Sequence, residues 1–380
     1  MQQYDCIVIG TGGVGSAALY QLAKRGLHAL ALDRFPPGHD RGSSHGDTRI
    51  IRLAYLEHPD YVPLLRRAFV LWDELEQHTG QQLYRETGFL QIGPSNGPTV
   101  QGALTSARQH QLTIEALSAI EVEQRFPGFR VPESMSAVLD PRAGYLRVEA
   151  CVRAYANAAV NLGAQLRTGE TVLGWQTDGS GVIVVTDQER YAAQHIILTV
   201  GAWAADFLEA LHVPLEVRRK ALFWYDVNNQ DYTVDSGCPT FFYELPEGDI
   251  YGFPQIDQFG LKIAEHTGGQ PVSNPLNLDL AIDSGDQSRI ERFLHDYMPS
   301  VTSTCLKHVA CMYTMSPDAH FIVDRHPEHP QVAFAAGLSG HGFKFVGVLG
   351  EALTELVLDG HSRLPMDFLS YKRFLHHDAA

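Results

Sequence analysis

Apolar residues open the chain as one uninterrupted run and then fall into helical spacing. Residues 4–10, with Cys6, Ile7, Val8 and Ile9 at the centre, read as a buried strand. Residues 14–25 read as a helix ended by Gly26, which can take the left-handed position after a last turn. Residues 28–33 form a second strand, so a strand–helix–strand unit begins almost at the first residue. The stretch 60–77 is amphipathic, with Leu64, Ala68, Leu71, Trp72 and Leu75 near one face. Asp60 is its candidate cap and Pro63 suits its first turn. Ser118 and Glu121 make a capping-box pattern ahead of Phe126 and Pro127. Residues 148–162 read as another helix closed by Gly163, and strands are expected at 171–176, 181–186 and 195–200.

Near residue 215 the pattern changes. The runs 217–226, 239–245, 250–254 and 260–266 are short, aromatic or β-branched, and broken by Pro and Gly, which favours an antiparallel meander. A buried strand over 331–337 and a helix over 342–358, ended by Gly360, restore α/β character. No internal repeat or low-complexity segment interrupts this order. The N-terminal unit must recruit strands from late sequence. The expected fold class is therefore α/β, a Rossmann-like domain discontinuous in sequence (1–82, 146–214 and 318–380) with a β-rich, antiparallel substrate domain (83–145 and 215–317).

The 380 residues suffice for two domains, and 44% hydrophobic content supports a sizeable core. The net charge of −15 argues against nucleic acid or an anionic membrane as partner, so an anionic substrate must be held by local positive groups. Five cysteines, none in C-x-x-C spacing, read as reduced thiols of a cytoplasmic protein, and no metal site is expected. The N-terminus lacks the marks of a signal peptide, no apolar run is long enough to span a bilayer, and the last five residues, His-His-Asp-Ala-Ala, are not a peroxisomal address.

Four segments carry candidate chemistry. Gly10-Thr-Gly-Gly-Val-Gly15 matches G-x-G-x-x-G between a strand and a helix. Gly10 permits the tight turn, Gly12 lets a pyrophosphate approach the backbone, Gly15 allows close helix–strand packing, and Asp33 stands where a carboxylate accepts from ribose hydroxyls. In Gly42-Ser-Ser-His-Gly-Asp-Thr-Arg-Ile-Ile-Arg52, Arg49 and Arg52 are three apart and would share a helix face; a solvated pair is the plain reading, a fork onto a carboxylate the functional one. Lys262 alternates with Leu261 and Ile263, and His266 would share its face; an edge-strand lysine is the commoner case. Ser339-Gly-His-Gly-Phe-Lys-Phe345 lies at a strand-to-helix junction, where Lys344 in a first turn opposes the helix dipole. A lone Cys311 is by itself a buried strand thiol.

With the Gly201-Ala-Trp203 turn, Tyr251-Gly-Phe-Pro254, Gly260-Leu-Lys262 and the run from Cys311 to Asp324, these segments follow one order over nearly the whole chain. In that order the chain resembles the monomeric sarcosine oxidase family of flavoenzymes, which includes N-methyl-tryptophan oxidase. The resemblance implies FAD, joined through its 8α carbon to Cys311, with Ser43, Thr48, Gly340, Gly342, Phe343 and Lys344 among its contacts. It implies Arg52 and Lys344 on the substrate carboxylate, and Lys262 as an ammonium assisting reaction with oxygen. His45 and Arg49 would lie by the flavin, while Tyr251, His266, Tyr313 and Phe242 would line the substrate cavity. The implied reaction is oxidation of a secondary N-methyl amino acid to the amino acid, formaldehyde and hydrogen peroxide by a monomer. A non-covalent D-amino-acid or glycine-type oxidase and an amine dehydrogenase are the alternatives. Ser44 departs from the family, whose members often carry a second histidine there. The aromatic stretches Lys220–Tyr225 and Phe242–Tyr243 look closer to the N-methyl-tryptophan side.

Overall fold

A computed structural model describes residues 2–179 and 181–375; the C-terminal pentapeptide read for a targeting address lies outside them. The opening unit forms as its apolar pattern requires. Strand Gln3–Ile9 pairs in parallel with Ala29–Asp33 on one side and with Arg190–Leu198 on the other. Helix Gly13–Lys24 joins the first two, and Gly26 takes φ +76° beyond its end. The eight-stranded sheet runs Val172–Asp178, Gly181–Thr186, Arg190–Leu198, Gln3–Ile9, Ala29–Asp33, Gln165–Thr168. Val332–Ala336 pairs in parallel with the end of Arg190–Leu198, and Ile322–Arg325 closes against it. The expected recruitment of late strands is thus observed.

A second eight-stranded sheet holds the expected meander, Thr240–Tyr243, Ile250–Phe253 and Leu261–Glu265, each antiparallel to the next. Long strands Glu216–Val227 and Val301–Met315 continue it at one end, and Phe89–Pro94, Met135–Asp140 and Glu115–Ser118 at the other, where Phe89–Pro94 pairs in parallel with Thr240–Tyr243 and departs from the expected antiparallel order. Alternation gives the sheet two different faces. Phe223, Tyr225, Phe241, Tyr243, Leu261 and Ile263 bury themselves against Ile290, Phe293 and Leu294 of helix Ser284–Tyr297. Leu222, Trp224, Phe242, Tyr251, Ala264 and Cys311 form a separate cluster on the opposite face.

Helix Tyr61–Thr79 buries the expected stripe against helix Val346–Asp359. Asp60 does not cap it. The backbone already turns at His58, since Tyr61 N–H and Val62 N–H donate to the carbonyls of His58 and Pro59, and this leaves Asp60 helical at φ −65°. The capping box at Ser118 and Glu121 forms in full. The helix expected from residue 342 starts later. Phe343–Phe345 is a 3₁₀ turn and the α-helix spans Val346–Asp359, so Lys344 sits before the helix, outside its first turn. Several elements went unread, among them helices Pro98–His110 and Ser284–Tyr297, strands Phe89–Pro94, Met135–Asp140, Glu115–Ser118 and Val301–Met315, and a three-stranded sheet of Thr48–Ile51, Gly144–Arg147 and Tyr84–Glu86. Among the described residues no helix is long and apolar enough to cross a membrane.

Candidate active site

The glycine motif faces a cavity that, with its mouth, encloses about 1460 Å³. Each glycine has its own reason. Gly10 holds φ +88°, and a Cβ there would lie 2.6 Å from the Thr199 carbonyl. A Cβ on Gly15 would come within 1.8 Å of the Gly10 carbonyl, so only glycine lets helix and strand pack this closely. A Cβ on Gly12 would meet nothing nearer than Ser44 Oγ at 3.6 Å, so its surface faces open space. Helix Gly13–Lys24 has no side-chain cap, and Gly12, Gly13 and Val14 line the cavity. That is the arrangement a pyrophosphate needs. Asp33 lines the same wall; it accepts from Thr11 N–H and Oγ1 and from Phe35 N–H, which fixes its carboxylate. Ser43, Arg49, Tyr313, Gly340, Gly342 and Phe343 line the remainder. These residues would suit a dinucleotide with its pyrophosphate at the glycine motif, and Met312 and Tyr313, which follow Cys311 in its strand, line the same cavity.

Cys311 is fully buried. Arg49 Nη2 lies 3.3 Å from its sulfur and 3.1 Å from the Ser43 carbonyl, and Arg49 Nη1 donates to the Thr48 carbonyl at 2.9 Å. Burial pushes the thiol up, but the charges of His45 and Arg49 outweigh it and bring Cys311 down to about 6. Burial pulls His45 down in turn, and the Cys311 sulfur raises it overall. His45 Nε2 is buried and has no hydrogen-bond partner among the described residues. Cys6, Cys151, Cys238 and Cys305 are all raised by burial, so Cys311 alone of the five favours the thiolate.

Lys262 is buried, not at a solvent edge. Its Nζ donates to the Gly46 carbonyl (2.5 Å), the Thr48 carbonyl (2.8 Å) and Thr48 Oγ1 (3.1 Å), so all three hydrogens are committed. Burial, helped by Arg49, holds it well below the usual lysine range. Glu149 pins the same turn by accepting from the N–H groups of Gly46 and Asp47. Beyond Lys262 on this face, the His266 ring stands 5.9 Å from Phe242, 6.1 Å from Tyr251 and 5.7 Å from Tyr313. Tyr313 Oη donates to Tyr251 Oη at 3.4 Å. Burial lowers His266 to about 3, so the box is neutral.

Arg49 and Arg52 do not share a helix face. Thr48–Ile51 is a strand, and a three-residue spacing there sends the two guanidinium groups to different sides. Arg49 goes to Cys311, whereas Arg52 Nη2 holds both oxygens of Glu57, at 2.6 and 2.7 Å, and leaves its buried Nε without a partner. Lys344 joins this second centre: its Nζ lies 5.3 Å from the Tyr55 ring centroid, and Arg52 Cζ lies 4.6 Å from the same ring. The Lys344 ammonium donates to the His341 carbonyl at 2.7 Å. His341 Nε2 donates to the Ala319 carbonyl, so its Nδ1 accepts from Tyr55 Oη, at 2.5 Å. Burial pushes Glu57 up, but Arg52, His341 and Lys344 together bring it down to about 2.

Glu57, Tyr55, His341 and Glu149 are site residues that sequence reasoning missed. Glu57 stands in a loop with no periodicity to pair it with Arg52. The available signal was position: Tyr55 lies three residues beyond the segment ending at Arg52, and His341 lies inside the segment Ser339–Phe345.

The FAD dependent oxidoreductase family profile matches residues 5–356. Monomeric sarcosine oxidase of Bacillus sp. (strain B-0618) is 39% identical over 374 residues, covering 97% of this chain and 96% of that protein. N-methyl-L-tryptophan oxidase of Yersinia pestis (strain Pestoides F) is 37% identical over 373 residues, covering 98% and 99%. Among solved structures, NikD, an unusual amino acid oxidase essential for nikkomycin biosynthesis, superposes with a TM-score of 0.86 at 25% identity over 97% of both chains. L-proline dehydrogenase from P. horikoshii shares the fold, with a TM-score of 0.85 at 21% identity over 98% of both chains.

Proposed function

The chain belongs to the FAD dependent oxidoreductase family, and on that premise we propose that it is an oxidase of secondary N-methyl amino acids. One oxygen and one water are consumed, the water hydrolysing the oxidised C–N unit, and the products are the primary amino acid, formaldehyde and hydrogen peroxide. The observation that carries this reading is the pairing of two centres: a cation pair around Tyr55 able to take a carboxylate, and an aromatic box around a neutral His266. The first holds the acid end of the substrate and the second encloses its N-methyl end. The names of relatives at 37–39% identity agree with it.

The sheet containing the glycine motif would hold the nucleotide, and the second sheet would supply the substrate walls (the division 1–82, 146–214 and 318–380 against 83–145 and 215–317). Bound FAD supplies a two-electron acceptor that takes a hydride equivalent from the C–N unit and delivers the electrons to oxygen. The chain's own residues do the rest. Cys311, kept as thiolate by His45 and Arg49, would be the covalent anchor at the 8α carbon. Arg52 and Lys344 hold the substrate carboxylate and so orient the methyl group. Tyr251, Tyr313, Phe242 and His266 exclude water around it. Lys262 supplies positive charge for oxygen reduction; with its hydrogens committed to Gly46 and Thr48, it acts through its field. The word monomeric in the relatives' name supports a monomer, and five unbridged cysteines support the cytoplasm.

The test is aerobic incubation of the purified yellow protein with sarcosine and with N-methyl-L-tryptophan. Equimolar formaldehyde and peroxide from one of them is the expected result. Turnover only with an artificial electron acceptor would replace the oxidase reading by a dehydrogenase, and no turnover of either would remove it.

Glu57 already neutralises Arg52 through Nη2, so it competes with the substrate carboxylate for the guanidinium's charge. Glu57→Gln is expected to lower KM about three- to tenfold. Thermal stability should drop as well, because Arg52 loses a buried partner. Steady-state kinetics and a melting curve check both; an unchanged KM would mean that Glu57 does not compete for Arg52.

A further inference from the structure

Lys220 is a third buried lysine on the active-site face, and the mechanism above does not use it. Its strand, Glu216–Val227, places it directly opposite Cys311, while Trp224 of the same strand lies opposite Lys262. The side chain is 3% exposed. Among the described residues its Nζ makes no carboxylate contact. It donates to three successive main-chain carbonyls, His266 at 3.0 Å, Thr267 at 2.6 Å and Gly268 at 3.3 Å, and stands 5.1 Å from the Tyr313 ring centroid.

The nearby acids are already engaged. Glu265 pairs with Arg289 at 2.9 Å, and Asp286 pairs with Arg219 at 2.8 Å and with Arg289 at 2.5 Å. The segment leaving the strand at His266 is bonded at its ends, His266 N–H to the Asp249 carbonyl and the Gln270 carbonyl to Arg219 N–H. Between those ends, the Lys220 ammonium gathers its carbonyls. Gly269 presses on the lysine stem: at φ +101°, a Cβ there would lie 3.2 Å from Lys220 Cδ.

We propose that Lys220 is a positioning residue, an ammonium latch that holds the 266–268 segment behind Tyr313 and thereby fixes where His266 and Tyr313 stand in the substrate cavity. The inference rests on the proposed function only for what that cavity binds. Burial lowers Lys220 to about 8, against the raising effect of Glu265 and Asp286 and with the further lowering effect of Arg218 and Arg289. His266, Tyr313 and Cys311 are the other titratable groups facing it. The latch is therefore charged at neutral pH and discharges as pH rises through about 8.

Three forms of the flavin-loaded enzyme test this: wild type, Lys220→Met and Lys220→Arg, assayed with whichever of sarcosine and N-methyl-L-tryptophan the wild type oxidises. Lys220→Met should raise KM about tenfold near neutral pH and leave kcat within about threefold, because binding geometry is lost and the chemistry is not. Lys220→Arg should restore KM and abolish the alkaline rise in KM that wild type shows above pH about 8. Amide hydrogen exchange over residues 264–272 reads the latch without substrate. It should speed up about tenfold or more in Lys220→Met and stay slow in Lys220→Arg. Unchanged exchange in Lys220→Met, a KM within about twofold of wild type, or an equal alkaline rise in Lys220→Arg would each overturn the proposal. Failure of wild type to oxidise either amine would overturn the functional reading instead, with the exchange result still deciding the latch.

Discussion

Cys311→Ser is expected to shift the flavin colour from the acid-precipitated protein to the supernatant. The reason lies in the electrostatics of five thiols in one chain. Cys6, Cys151 and Cys238 are as buried as Cys311, and burial alone pushes a thiol up. Cys311 goes the other way because Arg49 stands 3.3 Å from the sulfur and His45 adds its charge. The thiolate is thus the main form above pH about 6, where an ordinary thiol is still protonated. A serine hydroxyl in the same place does not ionise in this range and cannot serve as the anchor. The same argument makes flavin incorporation into apo-protein pH-dependent, with acid-stable colour appearing as pH rises through about 6. Arg49→Lys should move that midpoint upward, because a lysine cannot hold the Thr48 carbonyl with one nitrogen and the sulfur with another as the Arg49 fork does. Colour that stays in the pellet of Cys311→Ser would remove Cys311 from the site and return the non-covalent oxidase reading.

Lys262→Met is expected to slow reoxidation by oxygen about 10²- to 10³-fold and to leave anaerobic reduction by substrate within about threefold. A positive charge matters most where negative charge develops, and that happens when oxygen is reduced. Methionine keeps an apolar stem of similar length and removes the charge that stands 4.6 Å from the Phe253 ring centroid and 5.4 Å from that of Trp224. It also takes one hydrogen bond from each of the carbonyls of Gly46 and Thr48, which keep those from Thr48 N–H and Arg49 Nη1, at about 0.5–1.5 kcal/mol for each bond lost. Some loss of melting temperature is therefore expected, and the half-reactions must be compared per active flavin. Stopped-flow traces of the two half-reactions decide the matter. Equal slowing of both would assign Lys262 to the architecture of the 46–48 turn and not to oxygen.

The same residues show how far local pattern reaches. Alternation in Leu261-Lys-Ile263 put Lys262 on one face and its neighbours on the other, and the sheet observes that division. The glycine motif, read with its flanking strand and helix, carried its geometry, because Gly10 and Gly15 answer clashes with the Thr199 and Gly10 carbonyls and Gly12 leaves its surface open to the cavity. The helical spacing assumed for Arg49 and Arg52 failed because Ile50 and Ile51, β-branched and apolar, pair with Tyr145 and Gly144. Nothing within a few residues announces that partner strand, and so the whole three-stranded sheet went unread.

By itself the sequence determined the strand–helix–strand nucleotide unit, the buried stripes of the long helices and the change to a meander after residue 215. All of these follow from periods of two or 3.6 residues and from the turn chemistry of glycine, which act locally. The tertiary structure alone decided which charges meet. It set Arg49 beside a sulfur 262 positions away, gave Arg52 to Glu57, gathered Lys344 to the Tyr55 ring and put Lys220 behind Tyr313. Strand register and core packing fix those meetings. A charge acts over several ångströms of space with no regard for its distance along the chain, so its effect appears only when the fold is closed.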